Sequence, residues 1–339
     1  MLQDSCARPL RNLRLSVTDR CNLRCEYCMP EENFAWMPQA QLLSLEELAS
    51  IAATFVELGV KRIRLTGGEP LLRRDLSILV RYLADLPGLQ DLAMTTNGLL
   101  LNRQAADLKE AGLKRLTFSL DTLDHKRFTR LTKRDRLDEV LAGIRTAHDV
   151  GFVGSKINTV VQRGFNDGEI GTLLDFGRDH AMEVRFIEYM DVGGATQWSM
   201  DQVVSRDQIL SQVAATHGKV DEIPRTDSAP ADRFRLADGT VFGIIASTTQ
   251  PFCSSCDRSR VTADGHWFHC LYARKGFDLR TPLRLHGKQA VHDLISSEWP
   301  DRADRGAEER AQMAQRGPLQ SPGRNADDDP HLEMRTRGG

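Results

Sequence analysis

Six short β-rich runs punctuate the first 190 residues: LRLSVT (13–18), RIRLT (62–66), LAMTTN (92–97), RLTFSL (115–120), KINTVV (156–161) and VRFIEYM (184–190). Segments with helical periodicity separate them. The clearest is LSLEELASIAATFVELG, whose apolar positions recur three and four apart between a Ser44 cap and a Gly59 stop. RDLSILVRYLADL, NRQAADLKEAG, LDEVLAGIRTAHDVG and DGEIGTLLDFGRDH fill the later intervals. Such alternation admits little besides parallel βαβ units with right-handed crossovers. Six units make either an open doubly wound sheet or an incomplete barrel, and periodicity does not separate the two. In both, ligands gather at the carboxyl ends of the strands.

The informative residues sit at those ends: a cysteine loop after strand one, TGGEP after strand two, TTNG closing strand three and SLD closing strand four. Near residue 195 the rhythm stops. SRDQILSQVAATHG reads as a helix and DRFRLADGTVFGII as a hairpin with a DG turn. A second cysteine group follows. From about 300 the chain is polar and rich in Gly, Pro, Asp and Arg, the composition of a poorly ordered tail. The expected organisation is an α/β unit over 1–195, a C-terminal cysteine-bearing region over 196–300 and a tail over 301–339.

A net charge of −2 over 339 residues gives no general pull toward nucleic acid or anionic membrane. An anionic ligand must therefore meet a local cluster of Arg and Lys. No stretch approaches the roughly 18 apolar residues of a membrane span, and MLQDSCARPLRN lacks the apolar core of a signal peptide. The expected location is the cytoplasm, where thiols stay reduced. Metal binding or catalysis then outranks disulfide formation for the seven cysteines.

Cys21, Cys25 and Cys28 follow C-x3-C-x2-C, three soft ligands on one loop with no fourth nearby. A protein-closed structural site normally has four ligands, whereas a reactive site keeps a position open. A zinc loop with a distant fourth ligand remains the alternative. Cys253, Cys256 and Cys270 repeat the theme as C-x2-C-x13-C, and there His266 or His269 could complete a zinc site. On spacing alone zinc and iron–sulfur stand level. Arg258 and Arg260 alternate beside Cys256, which in an extended segment puts both on one face, suited to phosphate or simply to solvent. Cys6 has no motif around it and reads as an incidental free thiol.

The first spacing, with Tyr27 before the last cysteine and with Thr66-Gly67-Gly68-Glu69-Pro70 downstream, resembles the radical S-adenosylmethionine (SAM) enzymes. LRLSVTDRCNLRCEYCMP, IRLTGGEPLLRRD, TTNG, SLD, FIEYMDVG and FCSSCDRSR, in that order between Arg8 and Arg280, are similar to the GTP 3′,8-cyclase branch, which opens molybdenum cofactor biosynthesis. The resemblance implies an incomplete (βα)6 barrel of the TIM type with a C-terminal covering region, and a lyase activity. It implies two 4Fe–4S clusters on the two cysteine trios, with SAM on the open iron of the first. A 5′-deoxyadenosyl radical would remove the ribose 3′ hydrogen of GTP, and the product would be (8S)-3′,8-cyclo-7,8-dihydroguanosine 5′-triphosphate.

Carried over by position, Tyr27, Gly68, Ser119 and Met190 match SAM contacts, while Arg14, Arg64, Thr95, Lys156, Arg258 and Arg260 match GTP contacts. Taken by themselves, Arg14 and Arg64 could be surface charges and Met190 a core side chain. Asn97 could also touch SAM, and Asp121 could equally cap the next helix. Gly338 and Gly339 fit a C-terminal double glycine that reaches the active site, although Arg337 stands where an apolar residue is usual. The resemblance further implies an electron donor and a downstream cyclic pyranopterin monophosphate synthase. Oligomeric state is not legible, a homodimer being one arrangement open to the chain. Two other readings stay open: another radical SAM enzyme with an auxiliary cluster, such as a peptide modifier, and a zinc-stabilised α/β binding protein.

Overall fold

A computed structural model describes residues 2–30, 34–195, 197–319, 331 and 333–338. Strands β1 (Asn12–Ser16), β2 (Arg62–Thr66), β3 (Asp91–Thr96), β4 (Arg115–Ser119), β5 (Lys156–Val161) and β6 (Glu183–Glu188) pair in parallel in sequence order. Helices α1 (Leu45–Glu57), α2 (Leu76–Ala84), α3 (Ala105–Glu110), α4 (His125–Thr132), α5 (Leu137–Asp149) and α6 (Ile170–Asp179) occupy the crossovers. Their apolar faces, among them Leu48, Ile51 and Phe55 of α1 and Val140 and Ile144 of α5, pack on the β-branched and leucine residues of the strands in one continuous core. Ser44 does cap α1: its hydroxyl accepts from Glu47 N while the Glu47 carboxylate accepts from Ser44 N. Such a cap is worth about 1 kcal/mol.

The C-terminal region continues this same sheet. After α7 (Arg206–His217) come β7 (Val220–Ile223), β8 (Asp232–Leu236), β9 (Val241–Ile245), β10 (Arg258–Val261), β11 (His266–Phe268) and β12 (Phe277–Asp278). Among the described residues the order is β12-β11-β10-β1-β2-β3-β4-β5-β6-β9-β8-β7. Both β9 and β10 run parallel to their neighbours β6 and β1, so the parallel arc is two strands wider than the strand–helix rhythm indicated. Antiparallel strands then cover each flank, which leaves no parallel strand as a bare edge. Residues 246–257, which carry Cys253 and Cys256, lead the chain from the β6 side of the arc to the β1 side.

Two expectations need correction. α4, in HKRFTRLT, escaped the periodicity reading because only Phe128, Leu131 and Thr132 are buried. Its cap is Asp124, which accepts from Arg127 N at 2.8 Å; Asp121 does not cap it. The chain after 300 is also packed where it is described: Arg302, Arg335 and Arg337 are buried, and Arg310 and Arg316 both pair with the buried Asp191. Gly339 lies outside the described residues.

Candidate active site

The loop carrying the first cysteines begins where β1 ends and folds against β2. Gly68 N donates to Thr18 O at 2.9 Å and Glu69 N to Arg20 O at 2.7 Å. A Cβ on Gly68 would lie 2.3 Å from Arg20 O, so no larger residue allows this approach. Glu69 then joins the strand ends, accepting from Leu71 N, Thr96 Oγ1 and Asn97 N at 2.7–3.0 Å. Burial holds its carboxyl up at about 7 despite those donors. Asn97 Nδ2 donates to Asn22 Oδ1 at 2.8 Å, back into the cysteine loop. Tyr27 donates to Asp121 Oδ2 at 2.7 Å, and Asp121 also accepts from Val160 N. The motifs at successive strand ends are thus one hydrogen-bonded rim.

Inside that rim is a cavity of about 300 Å³. All six motif cysteines line it, together with Gly68, Ser119, Met190, Arg14, Thr95, Arg258 and Arg260. Tyr27, Glu69, Asn97 and Asp121 line it too. Arg64 and Lys156 lie in an adjoining basin of about 700 Å³ that shares Arg14, Thr95 and Arg258 with the first. His266 does not join the thiols: its Nδ1 is 3.0 Å from Asp264 Oδ2, beside His331. His269 lines the cavity, and burial lowers it to about 4, so it is neutral at pH 7.

The sulfur spacing tests which group the thiols fit. A single tetrahedral zinc with ~2.3 Å bonds draws its sulfurs to about 3.8 Å apart. Among the described residues, three Cys, His, Asp or Glu ligand atoms lie within 4.8 Å of one another only at Asp264, His266 and His331. Both cysteine trios are wider than that. That spacing leaves room for a polynuclear cluster. Burial, with Glu69 nearby, pushes the Cys21 thiol up to about 11; burial and Cys21 push Cys28 up to about 12. Cys25 is raised by burial and by both partners. Three such thiols become thiolates together when iron supplies the positive charge. Cys256 differs, since Arg258 and Arg302 overcome burial and hold it near 6.

The register of three strands builds the cationic wall. Arg260 of β10, Arg14 of β1 and Arg64 of β2 are direct neighbours across the sheet. Like charges opposite one another destabilise a sheet. Burial and Arg260, Arg64 and Arg258 accordingly pull Arg14 far below its usual range. Arg64 donates to Thr95 Oγ1 and Thr117 Oγ1 at 3.2 and 2.8 Å. Lys156 sits 3.0 Å from Glu183, yet burial, with Arg185 adding to it, lowers it to about 8. Thr117, Arg115 and Arg185 line the same basin and were missed in the sequence. Cross-strand register is the signal that finds them, and it needs the strand pairing.

The C-terminal segment closes over this wall. Ser16 Oγ donates to Thr336 O at 2.8 Å, Arg260 to Gly338 O at 2.7 Å and Arg14 to Gly338 O at 3.0 Å. Gly338 has φ +64, and a Cβ there would lie 1.9 Å from Thr66 Oγ1. Arg337 takes the place of an apolar residue by lying over the Phe268 ring at 4.0 Å while donating to Leu271 O. Arg335 lies over Phe34 and Trp36, 3.5 Å from Asp19.

Fold and site define a radical SAM protein. Residues 15–177 match the Radical SAM superfamily model, and residues 182–308 match the Molybdenum Cofactor Synthesis C model. The crystal structure of Streptococcus suis SuiB shares the fold, with a TM-score of 0.60 at 15% identity over 87% of this chain and 66% of that one. The chain is 52% identical to GTP 3′,8-cyclase 3 of Mycobacterium tuberculosis strain CDC 1551 / Oshkosh, over 100% of its own length and 90% of the relative's. It is 49% identical to GTP 3′,8-cyclase 1 of strain H37Rv, over 100% and 95%. It is 40% identical to GTP 3′,8-cyclase of Staphylococcus aureus strain Mu50, over 91% and 93%. The chain belongs to the GTP 3′,8-cyclase family of radical SAM enzymes. That membership sets aside both the peptide modifier and the zinc-stabilised binding protein.

Proposed function

We infer that the chain converts GTP to (8S)-3′,8-cyclo-7,8-dihydroguanosine 5′-triphosphate, the first step of molybdenum cofactor biosynthesis. One observation carries this reading: two trios of thiols border one chamber with Arg14, Arg258 and Arg260, and Arg64, the strand neighbour of Arg14, lines the basin that adjoins it. A nucleotide triphosphate is a ligand that can place a polyanion on these arginines and still reach both trios.

Cys21, Cys25 and Cys28 would hold one 4Fe–4S cluster, and Cys253, Cys256 and Cys270 would hold a second in the same chamber, available to the guanine base. With SAM on the first, the pair supplies a 5′-deoxyadenosyl radical when reduced by an external one-electron donor. The chain's own residues do the rest. The Gly68 backbone, Tyr27, Ser119 and Met190 surround the position of SAM. The Tyr27–Asp121 hydrogen bond fixes the ring that borders it. Arg14, Arg64, Lys156, Arg258 and Arg260 carry the triphosphate, with Thr95 orienting Arg64. Binding a polyanion relieves the mutual repulsion of these cations, and in a partly dry chamber that relief is much larger than in water. The segment at 333–338 shields the chamber from solvent, which protects a radical from quenching.

Among the described residues no helix is long and apolar enough to cross a membrane. We place the enzyme in the cytoplasm, ahead of a synthase that takes up the cyclised nucleotide. Anaerobic turnover with reductant, SAM and GTP tests the reading. It predicts 5′-deoxyadenosine together with a cyclised nucleotide, both dependent on GTP; deoxyadenosine with GTP recovered intact refutes the substrate assignment.

A further inference from the structure

Against the second cysteine trio, and lining neither cavity, lies a charged group that the reaction does not use. Asp4 accepts from Arg8 Nε at 2.6 Å and from Arg302 Nη1 at 2.9 Å, both at Oδ2. Its other oxygen accepts from the backbone N–H groups of Cys6 and Arg8, each at 2.9 Å. All three side chains are at most 2% exposed. They reach the cysteine segment directly. Arg8 Nη1 donates to Cys253 O at 3.0 Å, Arg302 Nη1 donates to Cys256 O at 2.9 Å, and Arg302 Nη2 is 3.6 Å from Cys256 Sγ. The Trp299 ring, 4.7 Å from the Arg302 guanidinium, fixes its plane.

The charges of this group do not cancel. Two buried guanidiniums share one carboxylate, and a buried charge without a partner is strongly unfavourable. The surplus positive charge points at Cys256 Sγ, so the group is complete only when that sulfur belongs to an anionic centre. Arg302 lines neither cavity and so does not touch substrate. Its Nη2 is instead placed to donate to a cluster sulfur. Hydrogen bonds and positive charge at the sulfurs favour the reduced, more negative form of an iron–sulfur cluster.

We propose that Arg302, oriented by Asp4, is a positioning residue that raises the reduction potential of the cluster held by Cys253, Cys256 and Cys270. This rests on the assignment of a second cluster to that trio. The remote ends of the chain thus act together on the second cysteine trio: the turn at residues 4–8 supplies Asp4 and Arg8, and the segment after Trp299 supplies Arg302.

The test is an anaerobic redox titration of the full-length holoenzyme followed by electron paramagnetic resonance, with the two cluster signals assigned by comparison with Cys25→Ala. Arg302→Gln should lower the second midpoint by about 59 mV or more, a tenfold change in a one-electron equilibrium. The first midpoint should stay where it is. Arg302→Lys, which keeps the charge and the Asp4 partner but not the fork, should fall between wild type and Arg302→Gln; it also carries the test if the glutamine variant fails to load its second cluster. Midpoints unmoved in the loaded variants, or equal shifts at both clusters, overturn the proposal. A wild-type protein holding iron for one cluster only overturns the second-cluster assignment itself, a result distinguishable from an unmoved midpoint.

Discussion

Raising the pH should weaken GTP binding chiefly through one residue, Lys156. In the ligand-free protein burial lowers its ammonium to about 8, although Glu183 is 3.0 Å away. A bound triphosphate would restore it to roughly the ordinary 10.4. The complex then holds more proton at this site than the free protein does, so affinity is full below about pH 7 and declines as pH rises through 8. With those two values, linkage gives about a fourfold loss between pH 7 and 8.5, close to 0.8 kcal/mol. Burial and mutual repulsion lower the neighbouring arginines too, Arg64 and Arg260 to about 9. A guanidinium starts above about 12, however, and stays mostly protonated to pH 8.5, so their contribution is the smaller one. The assay is anaerobic calorimetric titration of reconstituted enzyme with GTP at constant ionic strength. Lys156→Arg should flatten the decline while binding GTP at pH 7 within a few-fold of wild type, and it corrects for the ionisation of GTP itself. A fourfold decline that persists in Lys156→Arg refutes the reasoning, as does a flat wild-type profile.

Other expectations follow from the same geometry. Cys25→Ala should abolish SAM cleavage, whereas Cys256→Ala should lose about half the iron and GTP conversion while retaining the first cluster, as read by iron analysis and product assay. Gly338→Ala forces a Cβ into Thr66 Oγ1 at a left-handed backbone position; strain of ~1–3 kcal/mol should displace the segment and cut kcat/KM by roughly 5- to 150-fold at unchanged iron content. Asp191→Ala removes the carboxylate shared by Arg310 and Arg316 and should cost about 3 kcal/mol, visible as a lower thermal midpoint and faster amide exchange over 301–319.

Much of the parallel sheet was legible because parallel strands and their helices are local patterns. All six early strands fall within two residues of their sequence positions at each end, and Ser44 and Gly59 bracket α1 as read. α4 was not legible, since a short helix with three buried positions carries too little periodicity. The placement of β9 and β10 beside β6 and β1 was hidden for a different reason: pairing over such separations depends on the whole sheet and not on any window of sequence.

The site divides in the same way. Local motifs announced the thiols and glycines, and a family resemblance supplied Met190 and Lys156. The meaning of Arg14 and Arg64 emerged only when register set them beside Arg260. Asp121 illustrates the limit of local reasoning, because an acid at a strand end suits a helix cap as well as it suits a tyrosine hydroxyl. Asp4, Arg8 and Arg302 were beyond reach altogether. Nothing near Asp4 in sequence hints at an arginine 298 positions away, and the composition after 300 argued for a loose tail.

The first cysteine trio borders the same chamber as Arg14, Arg258 and Arg260, so the proposed radical is generated where the nucleotide would bind. Anaerobic turnover with GTP deuterated at the ribose 3′ carbon tests this most directly. The deuterium should appear in 5′-deoxyadenosine; 5′-deoxyadenosine formed at the same rate without deuterium would mean that the radical and the nucleotide do not meet.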